Sequence, residues 1–177
     1  MSMRLRIAPD QAAKIATALA RAGTREIGGQ MFGEQLAPSD FRVSELTVQK
    51  RGGAFARFVV DVVQAMKDAR RFFDRTKHDY RRFNYIGEWH SHPSFAVEPS
   101  VTDATTMRKL VADAEFRGAF AVLMIVRLDG DKITRGAWLF DPRGGERLVT
   151  LEFEHDDRKT DNDRREGDGR GQRIRWI

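Results

Sequence analysis

The chain has 177 residues, of which 41% are apolar and 32% charged, with a net charge of +5 and no cysteine. That is the size of one domain with enough core to fold without disulfides, and it is too short for a complete (β/α)₈ barrel of about 250 residues. The missing thiols exclude a disulfide scaffold, a cysteine protease and any thiolate metal site, and no apolar run approaches the ~18 residues of a membrane span. The opening MSMRLRIAPDQ lacks an apolar h-region, so a cytoplasmic location is expected.

Taken in chain order, Arg4 to Ile7 predicts a short strand, and Pro9 suits the first turn of a helix. Ala12, Ile15, Ala16 and Leu19 recur at helical spacing until Gly23. Glu26 to Gln35 is an apolar, glycine-rich strand candidate. Phe41 to Gln49 and Ala56 to Val60 predict further strands, split by the Gly52-Gly53 turn signal, with Met31, Phe32 and Phe41 as core. Val62 to Arg82 predicts a helix with Val62, Met66, Ala69 and Phe73 on its inner face. Its basic residues are interspersed with acids, the pattern of a solvated face, and no zinc finger or aromatic RNA platform is present, so no specific nucleic acid is expected as partner.

Asn84 to His92 returns to strand, and Thr102 to Ala114 predicts a helix with Met107, Leu110, Val111 and Ala114 inward. Phe120 to Val126 is continuously apolar, as a strand covered on both faces is. Asp129-Gly130 signals a hairpin into Ile133 to Phe140, and Arg147 to Phe153 alternates and closes the sheet. The sum is a single α+β domain, residues 1–155, with a mixed sheet flanked by two or three helices. Residues 156–177, with seven basic and six acidic side chains, form a charged tail expected to be flexible, whose last residues Ile174, Trp176 and Ile177 suit docking.

Chemistry concentrates in Tyr85-Ile-Gly-Glu-Trp-His-Ser-His-Pro and the following Glu98-Pro-Ser-Val-Thr-Asp103. On a strand, His90 and His92 point to one face, with Trp89 and Ser91 opposite, and two imidazoles on one face can share a cation. Pro93 ends the strand, having no N–H for the ladder. Ser100 stands where a helix should start, with Asp103 in its first turn. By itself that pair is a capping box. Next to two histidines, the Asp103 carboxylate is also a candidate third ligand, and a His₂Asp set leaves one position of a tetrahedral zinc for water. Glu26 is the leading candidate base, because an unpaired carboxylate in an apolar strand is costly; an edge carboxylate facing water, or a partner for Arg25 or Arg21, is the alternative reading of the same residue.

Glu26 in E-x-G-G-x-x-x-G, then GEWHSHP and PSxxD, resembles the JAMM (MPN+, Mov34/PAD-1) zinc metalloproteases, and within them the prokaryotic JAB branch. The resemblance implies one Zn²⁺ per chain, held by His90, His92 and Asp103. It implies Glu26 as general base and then acid, and Ser100 as oxyanion stabiliser. It further implies an isopeptidase or peptidase cutting after the tail of a ubiquitin-like protein, in deconjugation or maturation. Relatives serve bacterial conjugation systems with E1/E2-type proteins, including antiphage operons. Phe95, in the loop after the histidines, is a candidate to line a groove for the substrate tail, and strand addition is a candidate mode for that tail. Two other classes stand beside this one: a non-catalytic MPN scaffold, and a JAB hydrolase that processes a sulfur-carrier protein. A cupin-like HxH…E site using Glu98 conflicts with the predicted helices.

Overall fold

In a computed structural model, the structure describes residues 2–49 and 62–154. The expected strand over Ala56–Val60, the Gly52-Gly53 turn, His155 and the charged tail lie outside them. β1 (Arg4–Ile7) leads into α1 (Pro9–Ala22), which has proline in its first turn and ends at Gly23 with φ 60°. Ile15, Leu19 and Ala22 are buried on one face of α1, together with Gln11. Gln11 is a polar residue in an apolar stripe because its Oε1 accepts the Leu46 N–H at 2.7 Å. That bond fastens α1 to the end of β3 and removes the cost of an orphaned buried amide.

β2 (Gly28–Ala37) pairs antiparallel with β3 (Asp40–Leu46), and β1 pairs parallel with β3. The expected start of β2 at Glu26 is corrected: the strand begins two residues later, and Glu26 and Ile27 precede it. α2 spans Val62–Arg75, shorter than the expected Val62–Arg82. Lys77 (φ 54°) and His78 (φ 56°) take the left-handed conformation, which no right-handed helix continues through. The inner face of α2 is also corrected. Ala65 and Phe72 are buried, whereas Met66 is 69% exposed. The anchor is Phe72, stacked on Phe32 of β2 with ring centroids 4.9 Å apart. Once that ring is placed, the helical period turns Met66 outward.

β4 (Phe83–Ser91) lies between β2, antiparallel, and β5 (Ala121–Asp129), parallel. The crossover between β4 and β5 contains α3 (Val101–Ala112). Ala104, Met107 and Val111 of α3 are buried; Ala114, expected inward, lies past the helix end and is exposed. β5 turns through Gly130 (φ 60°) into β6 (Lys132–Phe140), with Asp129 opposite Lys132. The segment 146–153 divides into β7 (Glu146–Leu148) on β6 and β8 (Thr150–Phe153) on β1. Between them the Val149 N–H bonds Ala137 O at 3.0 Å. One segment thus joins the two ends of an eight-stranded sheet of order β7-β6-β5-β4-β2-β3-β1-β8. The Arg135 guanidinium of β6, 4.3 Å above the Phe153 ring of β8, closes the same seam.

The rolled sheet has two packed faces. Against α1 lie Leu5, Ile7, Met31, Val43, Leu46, Trp89, Val122, Met124 and Val126. Against α3 lie Ala121, Leu123, Ile125 and Phe140. β5 feeds both, which is why its run reads as continuously apolar. Three helices and a mixed sheet make this an α+β domain. No helix among the described residues is long and apolar enough to cross a membrane.

Candidate metal centre

The centre is built at the C-terminal end of β4. Strand alternation sends Trp89 into the α1 face, where it is fully buried and its indole N–H bonds Thr47 O at 2.8 Å. The neighbours His90 and His92 therefore share the other side, as expected. His92 sits one residue beyond β4, but its N–H still bonds Val126 O at 3.0 Å, so it keeps the strand's alternation. The two Nε2 atoms are 3.0 Å apart, and each lies 3.6 Å from an oxygen of Asp103.

Asp103 arrives from the first turn of α3. Ser100 caps that helix: its Oγ accepts the Asp103 N–H at 3.1 Å, and Asp103 Oδ2 accepts the Ser100 N–H at 2.8 Å. The capping box and the ligand are thus the same carboxylate. The cap fixes its rotamer, and the face it leaves open points at the two rings. Because the Ser100 Oγ accepts in the cap, its own proton is available to donate elsewhere.

Neighbouring groups orient the set. Ala96 O lies 2.7 Å from Nδ1 of His92, so the proton belongs on Nδ1 and the Nε2 lone pair faces the centre. Ser91, directed away from the rings, exchanges two bonds with Ile27: its N–H to Ile27 O at 2.8 Å, and the Ile27 N–H to its Oγ at 3.0 Å. This exchange ties the residue after Glu26 to β4 just past the paired strand, and Glu26 is close enough for its charge to act on His92. Gly28, opposite His90, permits the approach; a Cβ there would stand 2.3 Å from Trp89 O and 2.8 Å from His90 Cβ.

The electrostatics follow from this packing. Partial burial raises the Asp103 carboxyl, but its contacts with His90, His92 and Ser100 outweigh that and hold it well below the usual carboxylate range. The contact with Asp103 raises His92 above the usual histidine range against the opposing effect of burial, and the charge of Glu26 adds to the rise. Three donors crowded this way present a surplus of negative charge and lone pairs at one point. A tetrahedral ion with bonds of about 2.0–2.1 Å holds its donors about 3.3–3.4 Å apart. The observed separations of 3.0 and 3.6 Å straddle that value. The His90, His92 and Asp103 ligand atoms all lie within 4.8 Å of one another, and this group can hold a metal ion.

Neither Glu26 nor Glu98 belongs to the trio. The cupin-like alternative is thereby removed, since Asp103 and not Glu98 meets the histidines. Phe95 is 59% exposed, with its ring 6.3 Å from that of His92 and nearly perpendicular to it. Arg127 fixes its loop by donating to Phe95 O at 2.9 Å. His78 pairs with Asp74 and Tyr80, remote from the centre in sequence and in contacts.

Sequence reasoning missed the support behind the ligands: Ala96 O behind His92, the Ile27–Ser91 exchange, and the need for Gly28. The Gly28-Gly29 pair beside a paired strand was the available signal for the last. It also passed over Glu88, inside the motif itself. Burial pushes the Glu88 carboxyl above its ordinary range, partly offset by His90.

The sequence profile of the family described as prokaryotic homologs of the JAB domain matches residues 9–140. No curated protein matches the sequence. Among solved structures, the solution structure of protein DSY2949 from Desulfitobacterium hafniense superposes with a TM-score of 0.62. It is 14% identical and covers 86% of this chain and 94% of its own, a likeness of fold.

Proposed function

The chain belongs to the family of prokaryotic homologs of the JAB domain, and from that membership we propose that it is a zinc-dependent isopeptidase or peptidase acting after the tail of a ubiquitin-like protein. The observation that carries this reading is the convergence of His90, His92 and Asp103 at ligand distance, with Glu26 outside the ligand set and near enough for its charge to act on His92. A zinc ion held by these three side chains would supply Lewis acidity and a water of lowered pKa.

The chain's own groups then have separate tasks. Glu26 takes the proton of the attacking water and returns it to the leaving amine. The Ser100 hydroxyl, still able to donate, is aimed at the developing oxyanion. His92 is held in one tautomer by Ala96 O. Phe95, exposed at the rim, offers an apolar surface to an extended tail. A leaving lysine ε-amine makes the reaction isopeptide hydrolysis, and a leaving α-amine makes it maturation. A bacterial conjugation system with E1/E2-type proteins, including one of antiphage function, is the setting in which such a hydrolase would serve.

The test is cleavage of a panel of ubiquitin-like proteins bearing short C-terminal extensions, sulfur-carrier proteins included, read by intact mass. Wild-type, chelator-treated and Glu26→Ala proteins run side by side. Cleavage after one tail, lost in both controls, is the expected result. A protein that holds no zinc and cuts nothing would overturn the proposal in favour of a scaffold.

A further inference from the structure

One pair of half-buried polar side chains near the centre has no part in the chemistry above. Glu88 lies two residues before His90 on β4, and Gln30 of β2 is directly opposite it in register. Alternation places both on the face that carries His90. α2 covers β2 and β4 towards Phe32 and Phe72, and α3 covers β5 and β6. Gln30 and Glu88 therefore floor the strip of sheet between the two helices, ending at the metal ligands.

Neither side-chain oxygen set has a hydrogen-bond partner among the described residues. Gln30 Oε1 is buried with no hydrogen-bond partner among the described residues. Glu88 forms no hydrogen bond or ion pair with any described residue, and its charged or ionisable neighbours are His90 and Tyr85. Both residues nevertheless keep a partial opening to solvent. A buried amide oxygen without a partner beside a carboxylate largely withdrawn from water costs stability, and a fold-only role would be better served by apolar residues, as at Leu123 alongside. Two acceptors with no lysine or arginine paired to them among the described residues define what would satisfy them. The ligand must bring several N–H donors and a positive charge, and a guanidinium's planar fork does both.

We propose that Gln30 and Glu88 form a subsite for an arginine side chain of the substrate. Two strand residues separate Glu88 from His90 by about 6.6–6.8 Å along the chain. An extended substrate lying on this floor therefore presents its arginine within two residues of the bond at the centre. That last placement rests on the hydrolase reading; the affinity for a guanidinium does not.

The test is a binding measurement on the full chain, with and without zinc, followed by ¹⁵N NMR. The probes are N-acetyl-arginine amide and its neutral isostere N-acetyl-citrulline amide. The arginine probe should shift the amides of Gln30 and Glu88 and bind about tenfold tighter, the scale of one charge-assisted hydrogen bond. Glu88→Gln, nearly isosteric, should erase the difference between probes. Equal binding of the two probes, shifts confined elsewhere, or a preference that survives Glu88→Gln would overturn the proposal. In parallel, a sequence-diverse peptide library is incubated with zinc-loaded protein and the cut bonds are read by mass spectrometry. Arginine should recur at one fixed position within two residues of the cut, and Glu88→Lys should abolish that recurrence. Cleavage without arginine recurrence overturns the subsite and spares the hydrolase. Arginine-selective binding without any cleavage upholds the subsite and counts against the hydrolase.

Discussion

Replacing Ser100 separates the helix cap that the structure shows from the oxyanion role proposed for the same hydroxyl. Its Oγ accepts the Asp103 N–H at 3.1 Å in the cap of α3, and the hydroxyl proton is left to donate elsewhere. Ser100→Ala removes the acceptor and should cost about 1 kcal/mol, the usual size of an N-cap loss. For a chain of this length that is a fall of about 2–4 °C in Tm. Ser100→Gly also removes the hydroxyl, yet glycine is a tolerable N-cap, and the cost should be only a few tenths of a kcal/mol, about 1 °C. Ser100 has ordinary extended dihedrals (φ −68°, ψ 167°), so glycine gains nothing from backbone freedom there. Activity should rank the variants differently. If the hydroxyl stabilises the oxyanion, Ala and Gly lose it equally, and turnover of the cleaved ubiquitin-like fusion should fall about 10²–10³-fold in both. Thermal melting by circular dichroism and cleavage by intact mass supply the two rankings. A glycine variant that keeps most of its turnover would refute the oxyanion role, and equal melting of Ala and Gly would refute the cap.

Zinc at a thousandfold excess over its Kd should stabilise the wild type by about 4 kcal/mol, a Tm rise of roughly 8–16 °C, with the rise abolished in His90→Ala and His92→Ala; a zinc response unchanged in both variants would remove the centre. Gly28→Ala would press a methyl group into the Trp89 carbonyl and His90 Cβ, so Tm should fall and the zinc response weaken together; a fully retained zinc response would show that β4 can shift without moving His90. The Arg6 guanidinium donates two bonds to Asp40, at 2.9 and 2.7 Å, and holds that carboxyl below its usual range. The folded pKa is the lower one, so this contribution to stability is complete above the unfolded carboxylate pKa and is lost as pH falls through the folded value. Asp40→Asn should therefore flatten the acid side of the stability profile measured by urea melts, and an unchanged profile would show the pair to contribute nothing.

Much of this architecture was legible because local signals and burial agreed. Pro9, Gly23, Gly130 and the Ser100–Asp103 cap mark element ends in the sequence and in the fold alike. The trio was legible because strand alternation and the first helical turn are short-range rules. The misjudged elements depended on distant partners. Met66 and Ala65 are equally plausible inner residues until Phe72 meets Phe32, a contact between α2 and β2 that helical spacing cannot foresee. The end of α2 at Arg75 depends on left-handed turns at Lys77 and His78, residue types that carry no strong signal for them. Glu26 seemed to open a strand, whereas it lies just before one, and the difference depends on Ile27 pairing with Ser91, 64 residues away in sequence.

The segment 146–153, which borders β6 on one side and β1 on the other, makes folding end-loaded. Until it is made, both β6 and β1 have a row of unpaired backbone groups, and the strands that the N-terminal residues form wait for a partner nearly 150 positions downstream. Contacts of such sequence separation form late and slowly. During synthesis the nascent domain therefore carries two adhesive margins for most of its emergence, and its dependence on chaperones should be greatest just before this stave is released. Destabilising changes in 146–153 should accordingly reduce soluble yield from cells more than they reduce the stability of the protein that survives.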